Sequence, residues 1–447
     1  LVNDKDETGR LLSPGATCTA ARTRSISGQK RTEAQVRHNE RGRGMRVLLS
    51  TYGTRGDVEP LVALAVQLRA LGVGVRMCAP PDEEFAERLA GIGVQPVPVG
   101  PPVREVMRGT ALPSAADLAR YRNQLVETQF DVFPAALDGC DALVAAGLAQ
   151  VAARSAAEAA GIRYVYTSYS AVHLPSPHHA PPPRPGWPEP DPEVKDNRTL
   201  WKLDAHHMNA QFSETLNGHR AAIGLPAVDN VRDHILTDRP WLAADPVLGP
   251  WREVPGLDVT QTGAWTLPDE RPLPADLVAF LDAGAPPVYV GFGSLRPSPD
   301  IGRMAVEAIR AQGHRVLVSR GWADLDLADG RDDCLAIGEV NHQRLFGRVA
   351  AVVHHGGAGT TLTAAAAGAP QVVIPLQLSD NTYWAGRVAD LAIGAALDDP
   401  PPTAESLSTV VKTALAPETR ARAKALGSRI GTDGAEAAGR LLVEALR

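Results

Sequence analysis

Several short segments of this chain combine residue types suited to chemistry. The densest is His354-His355-Gly356-Gly357-Ala358-Gly359-Thr360-Thr361. Glycines let a backbone come close to a diphosphate. A helix opening on such a run turns free N–H groups and a partial positive charge toward the anion. A histidine can reach a phosphate oxygen, and Thr360 and Thr361 add hydroxyl donors. The plainer alternative is a glycine-rich turn beside a buried histidine. No lysine follows the glycines, so this is not a Walker-type phosphate loop.

The segment Gly53-Thr54-Arg55-Gly56-Asp57-Val58-Glu59-Pro60 holds a carboxylate at the start of a helix. Asp57 there is either an N-capping residue or a general base for an acceptor hydroxyl, and the two roles are compatible. Gly291-Phe292-Gly293-Ser294 ends a strand and is either a tight turn or part of the same cleft wall, with Ser294 as a donor. In Pro375-Leu376-Gln377-Leu378-Ser379-Asp380-Asn381, Asp380 and Asn381 are placed to hold sugar hydroxyls or to cap a helix. Ser319-Arg320-Gly321-Trp322 and Gly338-Glu339-Val340-Asn341-His342-Gln343 lie at further strand ends. Trp322 can wall a nucleobase or pack in a core, and the Val340 backbone can pair with a pyrimidine edge. His173, His178, His179, His206 and His207 lack carboxylate partners at ligand spacing, and Asp324-Leu325-Asp326 reads as solvent-exposed, so no metal site is expected.

These motifs need elements that present them on one cleft. MRVLLST (45–51), VGVRMCA (73–79), VQPVPV, CDALVAAG and RYVYTS read as strands alternating with helices, for example over 58–72. Their apolar runs are continuous, as strands buried on both faces require. The proline-rich stretch 175–192 must be a surface loop. A helix over about 197–223 and an irregular segment to about 260 follow. A second series begins near Pro287 with PPVYVGFGS, HRVLVSR, DCLAIG, AAVVHHGG, QVVIP and AIGAAL. The fold class is therefore α/β, with two Rossmann-like halves facing a deep cleft at the carboxyl ends of their sheets. The last helix, about 434–446, carries an apolar face at Leu441, Leu442 and Leu446.

The expected organisation is a disordered or artefactual tail over 1–44 and a first Rossmann-like domain over 45–245. A linker over 246–262 leads to a second Rossmann-like domain over 263–430. A helix over 431–447 is expected to pack back on the first domain. The tail is polar and basic without an apolar period, and a basic targeting or docking arm is the alternative reading. With 447 residues and a net charge of -6, the chain has room for two or three domains and lacks the basic footprint of a nucleic-acid binder. Its 4 cysteines form no CxxC pair, so a reducing, cytoplasmic compartment is expected. No apolar run approaches the ~18–20 residues of a membrane span, so no membrane association is expected.

Taken together, MRVLLSTYGTRGDVEPLVALAVQLRALG, LTDRPWLAADPVLGPW, QTGAWTLPDERPLPADLVAFLDAG and GEVNHQRLFGRVAAVVHHGGAGTT resemble the inverting nucleotide-sugar glycosyltransferases of GT-B fold. The resemblance runs from Met45 to Arg447 and points to the group that decorates vancomycin-type glycopeptide antibiotics. It implies that the domain over 45–245 binds the acceptor and that over 263–430 the nucleotide sugar, with Asp57 as catalytic base and Thr54 and Arg55 near the donor diphosphate. It implies Ser294, His355, Gly356, Gly357, Gly359 and Thr360 as phosphate ligands. Trp322 and Val340 would form the base pocket, Gln343 would approach the ribose, and Asp380 would meet the sugar. The family usually has Asp-Gln where this chain has Asp380-Asn381, which puts the Asn381 sugar contact in question. The implied co-substrate is a UDP- or dTDP-sugar with no metal cofactor, the acceptor a glycopeptide aglycone or related small molecule, and the chain a monomer. The alternatives are a sterol, other lipid or natural-product glucosyltransferase, and a non-catalytic nucleotide-sugar-binding auxiliary protein.

Overall fold

A computed structural model of the chain describes residues 44–108, 114–295, 297–322, 331–376, 380–397 and 402–447. The tail, Asp324–Asp326 and Gln377–Ser379 thus fall outside the described residues. The first series runs β1 (Arg46–Thr51), α1 (Arg55–Ala70), β2 (Gly74–Ala79), α2 (Glu83–Gly91), β3 (Gln95–Pro98), α3 (Val103–Arg108), α4 (Ala115–Ala136), β4 (Ala142–Ala146), α5 (Ala153–Ala160) and β5 (Arg163–Ser168). Beyond the proline-rich loop come α6 (Asn197–Ala222), α7 (Val231–Leu236), β6 (Trp241–Leu242) and β7 (Thr260–Gln261). The second series runs α8 (Ala275–Asp282), β8 (Val288–Val290), α9 (Pro299–Ala311), β9 (Val316–Ser319), β10 (Cys334–Ile337), α10 (His342–Leu345), β11 (Ala351–His354), α11 (Ala358–Ala366), β12 (Gln371–Val373), α12 (Asn381–Asp390) and β13 (Gly394–Ala396). Helices α13 (Ala404–Leu415), α14 (Pro417–Gly427) and α15 (Gly434–Ala445) close the chain.

Both sheets are parallel, in the orders β3-β2-β1-β4-β5-β6-β7 and β10-β9-β8-β11-β12-β13. Each order reverses direction beside its first strand, between β1 and β4 and between β8 and β11. Open α/β sheets bind ligands at that switch point, outside the carboxyl ends of the strands. The Gly53–Asp57 turn follows β1, Gly291–Ser294 follows β8, and the histidine-glycine run follows β11. The three densest motifs therefore sit at the two switch points.

The apolar runs do what two-sided burial requires. Along β1, Leu48 joins the core on one face of the first sheet, while Val47 and Leu49 join the core on the other. In the second sheet Val288 and Val290 pack on one face and Tyr289 on the opposite one. β8 stops at Val290 because the chain turns through Gly293 at φ 59, a left-handed conformation that ends the ladder.

Two details differ from the sequence expectation. The expected linker 246–262 ends in a strand, because β7 pairs with β6 at the edge of the first sheet. A two-residue strand carries too little alternation to read in advance. The last helix buries Ala435, Ala438, Leu442 and Val443 against the α1 side of the first domain, whereas Leu441 is exposed. The alanines of this sequence line the contact, so counting only leucines rotates the face. No helix among the described residues is long and apolar enough to cross a membrane.

Candidate active site

α1 starts directly after β1, with Thr54 in extended conformation as its N-cap. The Asp57 carboxylate, on the first turn, accepts the Thr54 N–H at 2.8 Å. It lies flat against the preceding turn: a Cβ on Gly53 would stand 2.1 Å from Asp57 Oδ2. The Tyr169 hydroxyl donates to the Asp57 carbonyl at 3.0 Å. The N-cap is thus Thr54 rather than Asp57, which caps from the third helical position by taking the Thr54 N–H, a placement compatible with a chemical role. Burial raises the Asp57 carboxyl to about 7, against the pull of the Thr54 N–H, and the negative charge of Asp380 raises it further. A carboxylate with that affinity for protons is matched to proton transfer at neutral pH.

Arg55 is not free. Its guanidinium pairs with Glu84 of α2 at 3.0 Å and with Glu339, after β10, at 2.5 Å. Glu339 also meets Arg271 at 3.5 Å, and Arg271 is bound by Asp269 at 2.8 Å. These pairs link the two halves across the cleft. Gln343 is likewise engaged: its amide donates to Leu267 O at 2.9 Å and accepts the Asp269 N–H at 3.1 Å. The Val340 side chain is buried in the second domain's core, which leaves its backbone for any base contact.

The two histidines at the end of β11 divide their labour. His354 is fully buried, its Nδ1 accepts the Gly356 N–H at 3.1 Å and its Nε2 pairs with Gln371 at 2.9 Å, so it shapes the turn. His355 lies over the start of α11, where a Cβ on Gly357 would stand 2.4 Å from its Nε2. Burial lowers His355 to about 4, and its buried Nδ1 has no partner. The ring is therefore neutral at pH 7 and acts as a hydrogen-bonding group. Gly359 and Thr360 follow on the first turn of α11, while the Thr361 hydroxyl is used up by Gly357 O at 2.9 Å. Ser294 is half-buried in the adjoining turn, and Trp322 N–H binds Gly293 O at 3.0 Å.

Asp380 and Asn381 open α12 beside this cradle. A Cβ on Gly356 would stand 2.7 Å from Asn381 O. The Asp380 carboxylate does not cap the helix; it accepts the Trp384 indole N–H at 2.7 Å. Asn381 is 4% exposed, and its Oδ1 is buried without a partner. The negative charge of Asp380 is felt at Asp57, and Asn381 lies against Gly356, so the start of α12 adjoins both the carboxylate and the glycine-rich turn.

Three neighbours were not singled out from sequence. Glu84 and Glu339 hold Arg55. Arg104 of α3 lies over the Trp322 ring, 5.8 Å from its centroid. No local pattern marks them, because each matters only through a contact from the other half or another element. Among the described residues, no three His, Cys, Asp or Glu side chains gather as a metal site would need.

Residues 47–173 match the family profile described as "Glycosyltransferase family 28 N-terminal domain", and residues 326–433 that described as "Erythromycin biosynthesis protein CIII-like, C-terminal domain". The chain is 56% identical over 405 residues to "Glycosyltransferase GtfE" of Amycolatopsis orientalis, covering 90% of this chain and 98% of that protein. It is 54% identical over 404 residues to the "Vancomycin aglycone glucosyltransferase" of the same organism, with the same coverage. Among solved structures, the glycotransferase of kitacinnamycin superposes with a TM-score of 0.68 at 19% identity, over 91% of this chain and 100% of that one, which speaks to the fold alone. The chain is a glycosyltransferase of GT-B fold and belongs to the family of these Amycolatopsis orientalis enzymes.

Proposed function

We propose that the chain transfers a sugar from a UDP- or dTDP-sugar to a phenolic or benzylic hydroxyl of a glycopeptide antibiotic aglycone, with inversion at the anomeric carbon. One observation carries the reading. A carboxylate raised to about 7, Asp57, shares a cleft with Asp380 and with a glycine-rich helix start suited to a diphosphate. Asp57 takes the acceptor proton as the oxygen attacks. A phenol, with pKa about 10, asks less of that base than an aliphatic alcohol. The leaving diphosphate is held by the N–H groups opening α11 and by neutral His355, with Ser294 and Thr360 as further donors. Donors aimed at charge that develops in the transition state often supply the largest share of rate acceleration. The chain's own donors suffice for this in our reading, without a metal cofactor. The similarity to the vancomycin aglycone glucosyltransferase of Amycolatopsis orientalis supports the acceptor class.

The test is mass spectrometry of the protein incubated with a panel of UDP- and dTDP-sugars and a glycopeptide aglycone. A product heavier by one hexosyl, N-acetylhexosaminyl or deoxysugar unit establishes donor and acceptor together. Donor binding without transfer from any donor would shift the reading to another acceptor, such as a sterol or other lipid, or to an auxiliary protein.

A further inference from the structure

The donor cleft has a charge problem. Its carboxylates include Asp57, Asp380, Glu84 and Glu339, and its cation Arg55 is bound by two of them. Arg271 is bound by Asp269 and Glu339. His355 and His342 are neutral, since burial lowers both to about 4. A nucleoside diphosphate brings at least two more negative charges into this setting. The α11 N-terminus offsets only about half a charge.

Arg104 stands apart from this pairing. It lies on α3, beyond β3, at the same carboxyl end of the first sheet as Asp57. Its backbone is pinned by Asp82, whose carboxylate accepts the Arg104 N–H at 2.9 Å. Its guanidinium makes no hydrogen bond or ion pair among the described residues, and the Nε is buried without a partner. Among the described residues the group lies on the Trp322 face, contributed by the opposite half. Trp322 in turn is tied to Gly293, and a Cβ on Gly293 would lie 3.5 Å from the His355 ring. Arg320, next in that region, is exposed to water and needs no partner. A half-buried guanidinium that meets no anion among the described residues is costly, unless a ligand completes it.

We infer that Arg104 is a donor-diphosphate ligand supplied by the N-terminal half, reaching across the cleft to the phosphate cradle formed by Gly293, Ser294 and His355. The inference rests on the nucleotide-sugar reading above and adds a contact from the half expected to hold the acceptor. Arginine suits the task because its planar fork can bind phosphate oxygens while its face stays on an aromatic ring.

The experiment is calorimetric titration of the full chain with UDP, dTDP, uridine and thymidine. Wild type, Arg104→Gln and Arg104→Lys are compared, together with the acceptor KM of each. Arg104→Gln is expected to weaken the preferred diphosphate by at least about tenfold, as loss of a charge-assisted hydrogen bond would. Nucleoside binding should stay unchanged, and Arg104→Lys, which keeps the charge without the fork, should recover only part of the loss. Equal weakening of nucleoside and diphosphate overturns the inference and leaves Arg104 as packing for Trp322. Unchanged diphosphate binding also overturns it, and a raised KM for a carboxylate-bearing acceptor would then assign the anion to the acceptor. Wild type binding neither diphosphate would instead sink the underlying nucleotide-sugar reading, which separates the two failures.

Discussion

The two walls of the cleft are built on opposite electrostatic plans. The N-terminal wall works with ionisable side chains: Asp57 raised to about 7, Arg55 clamped by Glu84 and Glu339, and Arg104 laid on Trp322. The C-terminal wall around β11 works with neutral donors: the N–H groups that open α11, the uncharged His355 and the hydroxyls of Ser294 and Thr360. Both walls use the same device for placement, a glycine that lets a functional side chain lie against the backbone. Gly53 admits the Asp57 carboxylate, and Gly357 admits the His355 ring. Proton transfer needs a group whose charge can change near neutral pH. Holding a leaving diphosphate needs donors that are fixed before the charge arrives. On the proposed mechanism the same fold, used twice, carries one task on each side.

The comparison is broken most severely by removing the titratable group. Asp57→Asn should lower kcat on the order of 10³-fold, within the range general-base catalysis contributes. Its amide can still accept the Thr54 N–H, so the fold and donor affinity should persist. Steady-state kinetics beside donor titration reads both, and a parallel loss of donor affinity would argue against a base role. On the other wall, Gly357→Ala drives a methyl into the His355 ring, 2.4 Å from Nε2. Losing one oxyanion donor in this way should reduce kcat/KM by about 10², with diphosphate binding weakened as well. An unchanged kcat/KM would mean that His355 does not touch the donor.

The pH dependence sharpens the division. Asp57 must be deprotonated to accept a proton, so kcat/KM should fall as pH drops through about 7. Part of that raised value comes from the negative charge on Asp380. Asp380→Asn removes the charge, lowers the Asp57 pKa and moves the acid limb to lower pH. The maximum rate also falls if Asp380 holds a sugar hydroxyl, but the position of the limb reads the charge alone. A limb that stays in place would dissociate it from Asp57.

How far the sequence carried this reading varies by kind of information. The alternation of apolar runs and helices is local, so the two parallel sheets were legible, and the three glycine-bearing turns fell at strand ends where the topology puts ligands. The glycine roles were legible as close approach, though not to what: that Gly357 accommodates His355, or Gly53 Asp57, depends on side-chain direction. Arg55 read as a phosphate ligand because neither Glu84 nor Glu339 is near it in the chain; in the fold it meets both. Asp380 read as sugar ligand or cap, and the contact that decides against capping, to Trp384, lies one helical turn onward. Arg104 sits in no motif at all, and only the approach of Trp322 from the second half singles it out.

The smallest effect concerns the pair that joins the walls. Arg55 and Glu339 are 37% and 50% exposed at their side chains, so the ion pair is largely hydrated despite its 2.5 Å separation. Exposed pairs of this kind contribute about 0.2–1 kcal/mol, and Glu84 still holds Arg55 when Glu339 is lost. Glu339→Gln should therefore shift Tm only slightly, and less at high salt. Its informative effect is on binding. If Glu339 competes with the donor for Arg55, the variant removes one of the guanidinium's two carboxylate partners and tightens UDP or dTDP a few-fold, roughly the worth of such a pair. Unchanged binding would leave Arg55 as a strut between the halves. Weaker binding would place Glu339 itself on the donor, and the C-terminal wall would then meet the donor with an ionised carboxylate beyond Asp380.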